Sequence, residues 1–253
     1  MKALITGATS GIGKCMAEYL ASLGWELVLT GRNEKALSQL ENELPTKVYT
    51  IPADLSDKNE VFKVYRFCQK HDIDMLVNNA GFGIFGEFDK TDLENELDMI
   101  NVNIVALHIL TKLFLRDFKK KNSGTILNVA SSAVFLTGPL LSSYYASKNY
   151  VVRLTLAIAR ELKKSRSKVK ISVLCPGPVD TEFNKRAGVV FSIKPASPVT
   201  VAKYGIDCAL KGKTTIIPTF MIKAGIIASR ILPEEIVSAV TYKIQEKKLD
   251  NNE

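Results

Sequence analysis

Short apolar runs alternate with longer stretches of helical period along almost the whole chain, and this alternation restricts the fold more than any other feature. The runs fall at residues 2–6, 26–30, 47–51, 74–78, 124–129, 169–175 and 214–217, with helix-like segments filling most of the gaps. Strand followed by helix, repeated in this way, predicts βα units that close a doubly wound parallel sheet with helices on both faces. Between Leu93 and Phe118, the apolar residues Leu97, Ile100, Ile104, Leu107, Leu110 and Phe114 recur every three or four positions, which predicts one long helix with a single apolar face. A chain of 253 residues, 46% of them hydrophobic, can bury one sizeable core, and no linker, repeat or low-complexity segment divides it. A single domain over residues 1–253 is therefore expected.

Several function classes are disfavoured by composition. The four cysteines, Cys15, Cys68, Cys175 and Cys208, are widely spaced and form no CxxC pair, so they read as thiols in a reducing cytosol. Only His71 and His108 are available as imidazoles, and no metal-ligand set is visible. The net charge of 34 − 26 = +8 is concentrated at Lys119–Lys121, between Lys163 and Lys170, and at Lys185-Arg186. The first two runs follow apolar periodic stretches, where cations meet helix C-termini, so no nucleic-acid partner is expected. The chain enters a strand at Lys2 and has no apolar run near the ~18 residues of a membrane span, which predicts a cytoplasmic protein without signal peptide or span. The polar residues 246–253 are expected to fray.

After the first run comes Thr6-Gly7-Ala8-Thr9-Ser10-Gly11-Ile12-Gly13, and Lys14 to Leu23 then reads as a helix. Glycines let backbone approach a ligand closely, and the helix start offers free N–H groups and a dipole to a pyrophosphate. The strand–turn–helix order is that of Rossmann-type dinucleotide sites, although the spacing G-x-x-x-G-x-G departs from G-x-G-x-x-G and by itself also suits a plain tight turn. The second strand ends Thr30-Gly31-Arg32, where an acidic side chain would select NAD. Arg32 instead offers a planar cation to a 2′-phosphate, so NADP(H) is the expected cofactor, with Glu34 expected in the first turn of the next helix.

In Ser142-Ser143-Tyr144-Tyr145-Ala146-Ser147-Lys148, Tyr144 and Lys148 stand four apart on one helical face. A phenol of pKa about 10 becomes a useful acid–base group near neutrality only if lowered by about three units, roughly 4 kcal/mol, and a neighbouring ammonium is one source of that preference.

The glycine turn, Asn78-Asn79-Ala80-Gly81, Tyr144/Lys148 and Pro176-Gly177 occur in this order and at matching separations. With them the chain, from Lys2 to about Pro218, resembles the short-chain dehydrogenase/reductase family. The resemblance implies a Rossmann-type sheet of about seven strands, with a dinucleotide-binding part over residues 1–130 and a catalytic and substrate part over 131–245. It implies that Tyr144 is the general acid in carbonyl reduction, that Lys148 lowers its pKa and holds the nicotinamide ribose, and that Ser131 binds the substrate oxygen, with Ser132 the alternative. Asn103, or less favourably Asn101, would complete a proton relay to Lys148.

Gly7, Thr9, Ser10, Gly11, Ile12, Gly13, Arg32, Asp54, Asn79, Ala80, Gly81, Tyr144, Lys148, Pro176, Gly177, Val179 and Thr181 would bind cofactor. Asp54 would meet adenine; Val179 and Thr181 would contact carboxamide and phosphates. Bland readings stand beside these: Asp54 as a turn cap, Asn79 as a partner of buried backbone, Pro176-Gly177 as a strand end.

Leu174 to Phe183 resembles the branch containing 3-ketoacyl reductases and hydroxysteroid dehydrogenases. Apolar groups at Val189-Val190-Phe191, Phe220-Met221-Ile222, Ile226-Ile227 and Ile231-Leu232 equally suit an apolar-ketone pocket or core packing, with the pocket closed by residues 182–198. The expected activity is NADP(H)-dependent reduction of a small-molecule apolar ketone or 3-ketoacyl carbonyl. The alternatives are a catalytically silent NADP(H)-binding regulator and a sugar or polyol dehydrogenase. Family members usually form dimers or tetramers through helices matching 93–118 and 144–164.

Overall fold

The apolar runs become strands because every second residue enters one of two cores. In the computed structural model, which describes residues 1–181, 195–218 and 233–246, Ala3 and Ile5 enter one core and Leu4 the other. The same alternation holds for Leu27 and Leu29 against Val28, and for Met75 and Val77 against Leu76. A strand covered on both faces needs apolar residues throughout, which is why these runs lack a polar alternation.

The strands are β1 (Lys2–Thr6), β2 (Glu26–Gly31), β3 (Val48–Pro52), β4 (Met75–Asn78), β5 (Thr125–Val129), β6 (Lys170–Leu174) and β7 (Thr215–Ile216). All pairings are parallel, and the seven-stranded sheet has the order β3-β2-β1-β4-β5-β6-β7. On one face lie α1 (Gly11–Ser22), α2 (Glu34–Glu43) and α7 (Pro198–Leu210), contributing Met16, Leu20, Leu37 and Ile206. On the other lie α3 (Lys58–Cys68), α5 (Leu107–Lys120) and α6 (Ser142–Lys164), contributing Val61, Val64, Phe114, Phe118 and Leu162. The chain winds outward from β1 to β3, then returns to place β4 on the other side of β1. Connections therefore diverge above the carboxyl ends of β1 and β4, and the crevice left there is where open α/β sheets bind ligands.

The stretch from Leu93 differs from the uniform helix expected. It comprises α4 (Leu93–Ile100), a π-helical turn (Asn101–Ala106) and α5. The wider π turn shifts the helical phase, so α4 buries Glu96 and Met99 and leaves Leu97 43% exposed, while α5 buries Leu107, Leu110 and Phe114. The 28 residues Leu93–Lys120 are long and apolar enough to cross a membrane by length and composition. Phe114 and Phe118 nonetheless pack into the sheet core.

Lys119-Lys120 and Lys163-Lys164 occupy the last turns of α5 and α6, where the helix dipole favours cations. Lys185-Arg186, the apolar groups at 189–191, 220–222, 226–227 and 231–232, and the tail 247–253 lie outside the described residues. A last helix, α8 (Glu234–Glu246), follows them.

Candidate active site and cofactor cleft

At the end of β1 the chain turns through Gly7, whose φ of +62° lies in the left-handed region. A Cβ there would stand 2.8 Å from Ala80 Cα, and one on Gly13 would stand 2.2 Å from the Gly7 carbonyl oxygen. Asn79 Nδ2 donates to the carbonyls of Thr6 and Gly7, each at 3.0 Å. Thr6 Oγ1 accepts from the backbone N–H groups of Asn79 and Ala80, each at 3.0 Å. The loop after β4 thus clamps the turn after β1, and Asn79 satisfies backbone groups while also lining the crevice.

Helix α1 starts at Gly11 with Ser10 at its N-cap, yet Ser10 makes no side-chain cap hydrogen bond and no acidic residue occupies its first turn. The caps of α2, α3 and α4 are filled by Asn33, Asp57 and Asp92. The start of α1 therefore keeps N–H groups and a positive dipole for an anion. Beyond β2, the Arg32 side chain is 64% exposed and, among the described residues, makes only a 3.8 Å ion pair with Asp54 Oδ2. Asp54 Oδ1 accepts from the Ser56 N–H at 3.0 Å, so it caps its turn as well as lining the crevice. Glu34 lies in the first turn of α2. Its carboxylate there favours the positive end of the helix.

The other end of the crevice is built on β5 and α6. Ser131 caps a 3₁₀ turn (Ser132–Phe135), accepting from the Ala133 N–H at 3.1 Å, and its hydroxyl is hydrogen-bonded to Tyr144. Ser132 also lines the cleft, and its backbone N–H donates to the Pro176 carbonyl at 2.7 Å. Lys148, 4% exposed, donates from Nζ to the Val129 carbonyl at 3.2 Å and stands 5.9 Å from the Tyr144 ring centroid. Burial pushes the Tyr144 phenol up to about 12, with the Ser131 hydrogen bond opposing it, and pushes the Lys148 ammonium down to about 8.

Asn103, fully buried on the π turn, accepts from the Phe82 N–H and donates to the Phe82 carbonyl and Ser147 Oγ, at 3.1, 2.9 and 3.0 Å. A Cβ on Gly81 would lie 2.8 Å from Asn103 Oδ1 and 2.9 Å from Lys148 Nζ. Gly81 thus permits both to approach the loop after β4. Asn101 has no comparable tie among the described residues.

These groups share one cleft of about 490 Å³. It is lined by Gly7, Thr9, Ser10, Gly11, Ile12, Arg32, Asp54, Asn79, Ala80, Gly81, Ser131, Tyr144, Lys148, Pro176, Gly177, Val179 and Thr181. Gly13 and Asn103 stand behind that lining. Sequence reasoning missed Phe82, Leu136, Leu141, Tyr145, Thr241 and Gln245, which line the end beyond Tyr144. Tyr145 adjoins the motif and was legible in it; α8 carries no motif, and its burial depends on the rest of the fold. Among the described residues no group of three or more metal-ligating side chains occurs.

A short chain dehydrogenase family model matches residues 1–188. The chain belongs to the short-chain dehydrogenase family. Its members are nicotinamide-dependent oxidoreductases acting on CH–OH and C=O groups. This short-chain dehydrogenase is 32% identical over 251 residues to estradiol 17-beta-dehydrogenase 11 of Macaca fascicularis, covering 96% of this chain and 83% of the relative. It is 34% identical over 194 residues to the very-long-chain 3-oxoacyl-CoA reductase of Anas platyrhynchos, covering 72% and 61%. A short-chain dehydrogenase from Sphingobium yanoikuyae in complex with NADPH superposes with a TM-score of 0.81 at 28% identity, covering 90% and 91%. A Burkholderia phymatum member in complex with NAD also gives 0.81, at 26% identity, covering 89% and 91%.

Proposed function

We propose that this short-chain dehydrogenase is an NADP(H)-dependent reductase that converts an apolar ketone or 3-ketoacyl carbonyl into an alcohol, with Tyr144 as proton donor. One observation carries the reading. A single cleft joins an uncapped helix start and a weakly paired Arg32 at one end to the bonded Ser131–Tyr144 pair and buried Lys148 at the other. The cradle fits a dinucleotide phosphate: Gly7 and Gly13 are held where any Cβ would collide, and the N-cap Ser10 of α1 makes no side-chain cap hydrogen bond.

Residues 1–130 would supply the cofactor half and 131–245 the catalytic half. Gly7, Thr9, Ser10, Gly11, Ile12 and Gly13 would shape the pyrophosphate cradle, Arg32 would pair with the 2′-phosphate, and Asp54 would meet the adenine. Asn79, Ala80, Gly81, Pro176, Gly177, Val179 and Thr181 would line the nicotinamide half, with Lys148 on its ribose. When bound, NADPH supplies the hydride that reaches the carbonyl carbon. Ser131 would donate to the carbonyl oxygen, and Tyr144 would pass its proton to that oxygen as the charge develops. A phenol with its pKa near 12 is protonated at neutrality, the state that reduction requires. Lys148 would return a proton to Tyr144, with Asn103 holding the Phe82 loop beside it.

Phe82, Leu136 and Leu141 give the substrate end an apolar wall better suited to a ketone than to a polyol. Four free thiols favour a cytoplasmic setting, and the exposed apolar residues Leu93 and Leu97 of α4 and Leu156 of α6 favour a dimer or tetramer.

NADPH absorbance, followed across a homologous series of 3-oxo esters, tests the activity. Efficiency should climb about fourfold per methylene until the cleft is full, at about 0.8 kcal/mol each. Tyr144→Phe should abolish turnover while NADPH still binds. A flat series, faster oxidation of sugars with NADP⁺, or an active Phe variant would overturn the assignment. Binding of NADPH without any turnover would leave a silent regulator.

A further inference from the structure

The substrate end of the cleft contains a polar device that proton transfer does not need. Helix α8 turns Thr241 and Gln245, four residues apart, toward the cleft and leaves Ile236 and Val240 exposed on its outer side. Ordinary packing would place the apolar pair inward. Thr241 spends its hydroxyl on the Val237 carbonyl at 2.8 Å. Gln245, only 3% exposed, donates from Nε2 to the Tyr145 phenol oxygen at 3.1 Å. Burying an amide and a phenol costs stability unless they pair, so this contact fixes the Tyr145 hydroxyl.

The Tyr145 ring is held as well. A Cβ on Gly138 would lie 2.2 Å from its Cγ, so the ring occupies space only glycine leaves open. It meets the Tyr144 ring edge to face, with centroids 6.1 Å apart. A phenol both accepts and donates. The Tyr145 oxygen accepts from Gln245, while its own O–H finds no acceptor among the described residues. Burial raises its pKa, which keeps that proton in place.

We propose that Tyr145 is a second substrate-contacting hydrogen-bond donor, held by Gln245 as a positioning residue, and that it selects ketones carrying an acceptor oxygen beside the reacting carbonyl. The chemical class is the 3-oxoacyl ester or thioester, whose acyl carbonyl would meet Tyr145 while the keto oxygen meets Ser131 and Tyr144. The inference rests on the reductase reading above and adds a source of selectivity to it.

The test compares a 3-oxo ester with the ketone of equal chain length that lacks the ester oxygens, using wild type, Tyr145→Phe and Gln245→Leu. NADPH binding, read by nucleotide fluorescence, reports that each variant is folded. Wild type should favour the ester in kcat/KM by about three- to tenfold, the worth of one neutral hydrogen bond. Both variants should draw that ratio toward one, chiefly through the KM of the ester. A wild-type ratio of one, or a ratio unmoved by Tyr145→Phe, overturns the inference and leaves the reductase reading standing. If wild type turns over neither ketone, the reductase reading itself fails.

Discussion

Burial acts in opposite directions on the two titratable groups at the reacting end, because low dielectric penalises whichever form is charged. Tyr144 rises to about 12 and Lys148 falls to about 8. The Ser131 hydrogen bond opposes the rise at Tyr144. The pH dependence follows from Lys148. In the proposed reaction Lys148 would be charged below about 8 and able to return a proton to Tyr144; above, it would be neutral and unable to. The turnover rate for ketone reduction should therefore hold through neutrality and fall as pH passes about 8. A profile flat up to the ordinary lysine range would break that link. At the opposite end, the exposed 3.8 Å contact between Arg32 and Asp54 is too long and too hydrated to compete with a phosphate dianion. Arg32→Ala should raise the KM for NADPH about tenfold, about 1.5 kcal/mol, and change NADH kinetics little. Equal efficiency of NADH and NADPH in the unmodified protein would sink the 2′-phosphate assignment.

At the scale of elements, β4 and β5 are joined by more than their ladder. Asn78 Nδ2 donates to Asn128 Oδ1 at 2.9 Å and to Thr111 Oγ1 at 3.0 Å, and Asn128 Nδ2 donates to Thr155 Oγ1 at 3.0 Å. This buried chain ties α5 and α6 to the two strands whose ends carry the Asn79 loop and Ser131. Its loss is costly because the partners left behind are desolvated. Asn128→Ala should lower unfolding stability by about 2–4 kcal/mol, read as a lower urea midpoint at unchanged slope. The π turn is a second device at this scale. It places Asn103 against Phe82 and Ser147, and it could not be read from the apolar spacing, since a phase shift leaves the composition of the helix unaltered.

At the scale of the whole molecule, Leu97 and Leu156 remain exposed on α4 and α6. If copies associate through these helices, the double variant Leu97→Glu/Leu156→Glu should sediment as a monomer where the wild type does not. A wild-type monomer would dismiss the interface. The sheet itself was legible residue by residue, because burial on both faces demands continuous apolar runs and glycine turns punctuate them. The segments that line the cleft were legible for a related reason: Thr6 to Gly13, Asn79 to Gly81, Tyr144 to Lys148 and Pro176 to Thr181 are local segments at strand ends or on one helical face, and local geometry is written in spacing. What spacing could not convey was the partnership of segments far apart. Only the folded chain brings Asn79 onto the carbonyls of Thr6 and Gly7, rotates α4 through the π turn, and carries Gln245 back across 100 residues to Tyr145. These contacts exist because parallel β-strands gather their carboxyl ends on one edge of the sheet, and whatever lies over that edge is settled by packing in three dimensions.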